Sequence, residues 1–172
     1  MNRSFQIIYF FLIIAIGFIG GILLLQLSTV EQAEWLIRKM DSRVLLQGKP
    51  SIWQSLLPVV IPFAIVSLLA SHNYLRHVAR IVVVLKSAFF GYSAGYLIDT
   101  QNAFWSYAAW WFPFQLLYSI VLMVFCIVLV PEPVYAVRKK LPILPRVIVV
   151  LVATLVILCG ELLAIHFIYK LK

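Results

Sequence analysis

Apolar residues in this chain come in long blocks rather than in the short alternations of a soluble fold. Five blocks, near 5–27, 52–71, 80–98, 104–130 and 147–169, each approach or exceed the roughly 20 apolar residues that cross about 30 Å of hydrocarbon as a helix. The polar residues gather between the blocks. The pattern predicts an all-α, polytopic integral membrane helix bundle of five transmembrane helices in a single domain spanning residues 1–172. The first block follows Arg3 and runs on without an Ala-x-Ala cleavage pattern, so it reads as a retained span.

The longest polar connector, 28–51, opens on Ser28-Thr-Val-Glu31, the spacing of a helix-starting capping box. Behind it Val30, Ala33, Trp35, Leu36, Met40 and Val44 partly follow helical spacing, while Glu31, Glu34, Arg38, Lys39, Asp41 and Arg43 supply a wet side. An amphipathic helix on the membrane surface is predicted, ended by Gly48 and Pro50. It is also the natural docking surface for a partner.

Pro58 and Pro62 lie four apart in the second block, and each removes a ladder hydrogen bond, so a kink or short break is expected there. In the connector 71–80, His72 and His77 are five apart and do not share a helix face as a metal pair would. Trp105, Tyr107, Trp110, Trp111 and Phe112 open the fourth block with the aromatic cluster typical of a headgroup region. Just behind them, Pro113 and Gln115 enter the same span, where the amide of Gln115 can bond to another helix.

Two features stand out inside the blocks. Gly17 and Gly21 on the first, and Ser87, Gly91 and Gly95 on the third, repeat every four residues, which lines small residues along one stripe of a helix and lets a second backbone approach. A contact between the first and third helices is predicted. The other feature is charge. Lys86 lies about 9 Å inside one end of its span and Glu161 about 12 Å inside the opposite end of its own, at a rise of about 1.5 Å per residue. Left unpaired at that depth each would cost several kcal/mol, roughly. Either the two meet, or Lys86 snorkels to the inner interface and Glu161 is protonated. With His166, Glu161 could also belong to a proton or ion path.

Composition agrees with the pattern: of 172 residues, 64% are hydrophobic and 12% charged, and the mean hydropathy is +1.04. The net charge of +8 lies in short clusters between the blocks, without the basic face or aromatic platform of a nucleic-acid binder. Its distribution orients the chain instead. Arg76 and Arg80 mark 71–80 as an inner connector, Arg138, Lys139, Lys140 and Arg146 do the same for 131–146, and 99–103 carries no base. The expected placement is a bacterial cell membrane, with the N-terminus cytoplasmic and the C-terminus outside. Cys126 and Cys159 stand apart from each other and from any histidine, so neither a disulfide nor a zinc site is expected. No paired carboxylates at acid–base spacing, nucleophile elbow, His-Glu-x-x-His or phosphate loop is present, so no catalytic residue, cofactor or metal is assigned.

Taken together, the Gly17/Gly21 helix, the extended outer connector, the string Leu85-Lys-Ser-Ala-Phe-Phe-Gly-Tyr-Ser-Ala-Gly95 and a last span carrying Glu161 resemble the stage II sporulation protein M family. Pro113 and Gln115 fit the family loosely. Ser87 stands where many members carry glycine, and the His-Gly and Glu that some carry in the fourth span are absent. The resemblance implies a non-enzymatic membrane subunit working with other membrane subunits. One branch assists maturation, export or immunity of circular bacteriocins, with a small cytoplasmic ATPase and a peptide cargo; in this chain the ATPase would meet loop 131–146. Another recruits cell-wall hydrolases. The lipid bilayer is the partner common to all these readings, and a small secondary transporter using Glu161 is the alternative from a different class.

Overall fold

The computed structural model describes residues 3–45, 50–72, 74–75, 78–100, 104–130 and 143–170. Arg76, His77, Gly48, Lys49, Lys172 and the basic stretch Arg138 to Lys140 lie outside the described residues, as do the side chains of Arg3, Trp105 and Tyr107. The described residues form helices and no strand: α1 (Arg3–Gln26), α2 (Val30–Met40), a 3-10 turn (Ser42–Leu45), α3 (Ile52–Ser71), α4 (Ala79–Thr100), α5 (Phe104–Leu129) and α6 (Ile143–Lys170). Four helices, Ile52–Ser71, Ala79–Thr100, Trp110–Leu129 and Leu144–Ile168, are long and apolar enough to cross a membrane. The described apolar part of α1, Phe11–Gln26, is shorter. The protein is therefore all-helical and built for embedding in a bilayer.

Local chemistry explains where these helices begin. Thr29, not Ser28, caps α2: its hydroxyl accepts from the Gln32 N–H while the Gln32 side chain accepts from the Thr29 N–H. The box is thus shifted one residue from the Ser28/Glu31 pair that the sequence spacing suggests, because the reciprocal bond needs only a hydroxyl and, three residues on, a side chain that reaches back. Ser51 and Gln54 make the same box at α3. Pro58 and Pro62 both sit inside α3, which continues as one helix through them. α2 stops at Met40, well before Gly48, and the chain tightens into the 3-10 turn.

The most extensive helix contact among the described residues joins α1 to α4. Gly17 faces Ser87 and Val84, Gly21 faces Ala88 and Tyr92, Gly91 faces Phe18, and Gly95 faces Leu25. Rising numbers meet rising numbers, so the two helices run parallel. A Cβ on Gly21 would overlap the Ala88 carbonyl oxygen, and one on Gly91 the Phe18 carbonyl oxygen. Backbone lies against backbone there, as the small-residue stripes predict. α5 runs antiparallel to α4: Lys86 meets Gln115, and further along α4 the Phe90 ring packs at a tilt against Trp111 (5.7 Å between centroids) and Phe112 (5.0 Å).

The apolar core is split into two. One cluster gathers Val59, Phe63, Val66, Ala79, Val83, Tyr118, Leu122 and Phe125. The other gathers Leu25, Ala33, Ile37, Val44, Phe90, Leu97, Trp110, Trp111 and Ile165. Between the clusters α4, α5 and α6 turn Lys86, Gln115 and Glu161 toward one another, and that layer is the candidate site.

Candidate functional site: a charged layer inside the helix bundle

Three helices and the connector between α1 and α3 each supply part of the layer. α4 brings Lys86, whose Nζ donates to Gln115 Oε1 on α5 at 2.8 Å. Gln115 is 1% exposed, and its Nε2 donates in turn to Asp41 Oδ2 at 3.3 Å. Trp111, one turn earlier on α5, donates its indole N–H to the same oxygen at 3.0 Å. Asp41 lies at the end of α2, where the 3-10 turn begins, and holds Arg43 through two bonds: Nε to Oδ1 at 2.6 Å and Nη2 to Oδ2 at 2.7 Å. Arg43 then spans to α6, with Nη1 on Glu161 Oε1 at 2.6 Å. The second Glu161 oxygen accepts from Tyr118 Oη of α5 at 2.8 Å.

The geometry meets the cost of burial. Arg43 is 1% exposed and Glu161 0%. An isolated ion so placed would lose its hydration without return, and such groups persist only when paired and hydrogen-bonded. Arg43 uses the fork of its guanidinium on Asp41 and the remaining amino group on Glu161, a shape that a lysine at the same place could not match. Two cations, Arg43 and Lys86, balance two anions, Asp41 and Glu161. The layer is formally neutral and connected from α4 to α6.

Of the intramembrane polar residues singled out by sequence, Lys86, Gln115 and Glu161 come together here, while His166 is exposed on α6 and packs its ring near Phe167. Lys86 and Glu161 are joined only through intermediates. Gln115 answers the lysine, and Arg43 and Tyr118 answer the acid. Asp41, Arg43, Trp111 and Tyr118 were not legible as site residues, because Asp41 and Arg43 read as the wet side of a surface helix.

Among the described residues no three His, Cys, Asp or Glu side chains lie close enough together to hold a metal ion. A shallow groove of about 440 Å³ runs between α2 and α4, lined by Ser28, Glu31, Gln32, Trp35, Leu36 and Tyr92. Comparison with models of known families, with curated proteins and with solved structures finds no match to this chain. The family resemblance therefore stands on the residues quoted for it alone.

Proposed function

We propose that this chain is a non-enzymatic integral membrane subunit of a bacterial membrane complex, crossing the bilayer five times with its N-terminus inside and its C-terminus outside. α1 is the remaining span in this reading; its parallel course beside α4 suits two odd-numbered crossings. The observation that carries the proposal is the closure of the charged layer. Both oxygens of Glu161 and both of Asp41 are engaged by side chains of the same chain. Acids committed in this way fix helices against one another, which is what a stable assembly subunit needs.

The resemblance adds the finer role, assisting maturation, export or immunity of a circular bacteriocin together with a cytoplasmic ATPase at loop 131–146. A second reading, a scaffold that recruits a cell-wall hydrolase, is favoured by the outward face of α2, where Val30, Trp35 and Met40 are exposed. Affinity purification in mild detergent should bring down an ATPase in the first case and a hydrolase in the second. Glu161→Gln tests the reading against transport. Proton-coupled flux in vesicles that disappears in this variant would replace the subunit reading with that of a small secondary transporter; absence of such flux in the unaltered protein, which still co-purifies with its partners, supports the subunit reading.

A further inference from the structure

The connector between α1 and α3 does not stay at one level of the bundle. Near its start, Tyr96 Oη of α4 donates to Glu34 Oε1 of α2 at 3.2 Å. At its far end, Asp41 is reached by Gln115, which is itself bonded to Lys86 of α4. From Tyr96 back to Phe90, which packs on the Trp111 that donates to Asp41, α4 covers six residues, or roughly 9 Å, about a third of the thickness of the hydrocarbon layer. On α6, Glu161 lies about nine residues, roughly 14 Å, before the helix end at Lys170. The backbone leaves α-helical geometry at that depth, which a membrane protein tolerates only where protein covers the chain. Cover is present: Asp41 is 6% exposed, Arg43 1% and Val44 4%.

We infer that residues 30–45 form a re-entrant segment that closes the outer half of the bundle and is latched there by the contact of Arg43 with Glu161. This rests on the membrane-spanning reading above. The ion pair that joins the segment to α6 lies at its tip. Along α2 Ala33 and Ile37 are buried and Glu34 accepts from Tyr96, while a groove opens beside Tyr92 against Glu31, Gln32 and Trp35. The Thr29/Gln32 capping box satisfies the first turn of α2 from within the segment itself. Arg43 and Asp41 belong to the same segment, so the tip carries its own counter-charge when it withdraws. The ties of the tip to the rest of the bundle include the Glu161 contact and the two neutral donors, Trp111 and Gln115, while Tyr96 holds Glu34 further up the segment.

The test is a single cysteine at Ser42, in a Cys126→Ala, Cys159→Ala background, labelled in cells and in inverted vesicles with a membrane-impermeant maleimide. Thr100→Cys, at the exposed end of α4, is the reference. Thr100→Cys should label quickly from one side, and Ser42→Cys from that side at least about tenfold more slowly, the signature of a closed segment that opens locally. Adding Glu161→Gln should bring Ser42→Cys close to the reference rate. Equal rates in the unaltered background would place the segment on the surface and overturn the inference. Slow labelling with and without Glu161→Gln would mean that packing holds the segment, and would overturn the latch. Labelling of the reference from both sides or from neither would sink the membrane-spanning reading instead. Should Glu161→Gln fail to accumulate, Tyr118→Phe, which removes one bond to Glu161 and no charge, should shift the rate in the same direction, and no shift would overturn the latch.

Discussion

Arg43 is the residue on which the charged layer turns, because it touches both acids. Replacing it with methionine leaves Asp41 and Glu161 buried without their cation, at a cost of about 3–5 kcal/mol. Glu161→Gln is milder, about 1–3 kcal/mol, since Arg43 keeps its two bonds to Asp41. Thermal denaturation in detergent should therefore rank the variants wild type, Glu161→Gln, Arg43→Met in falling midpoint. The reverse order would mean that Arg43 owes its place to something other than these acids. Lys86 and Glu161 were visible in the sequence because a charge inside an apolar block is conspicuous. Arg43 was not, because a charge in a polar connector is ordinary until the fold buries it.

At the scale of the helix, the α1–α4 seam was legible. Small residues at a four-residue repeat have few uses on a membrane helix besides close approach, and the structure puts Gly17, Gly21, Ser87, Gly91 and Gly95 all in that seam. Gly20 gives an internal control, since a Cβ there meets nothing within 4 Å. Gly20→Ala should leave the midpoint unchanged or slightly raised, while Gly21→Ala should cost about 1–3 kcal/mol by pushing two backbones apart. Equal effects at the two positions would show that the helices do not touch along this line. α2 was legible only in part. Its start and its amphipathic spacing follow from local chemistry, but the turn of its far end into the bundle depends on partners more than 60 residues away in the chain, Trp111, Gln115 and Glu161.

For the molecule as a whole, two apolar clusters enclose a neutral polar layer. Interior pairs are shielded from mobile ions, so raising salt from about 0.05 M to 1 M should leave the midpoint in detergent nearly unchanged, whereas a bundle held by surface pairs would soften. A marked fall would place water and ions inside the layer. The sequence by itself determined that the chain is built of long apolar helices, because covering backbone groups in an apolar solvent leaves few alternatives; of the five spans it predicts, four are long and apolar enough to cross a membrane among the described residues. It also determined the α1–α4 contact, because small-residue spacing is a local property. Only the tertiary structure decided which charges meet. Ion pairing depends on where side chains from distant segments converge, and no periodicity along the chain records that Arg43 comes to rest between Asp41 and Glu161.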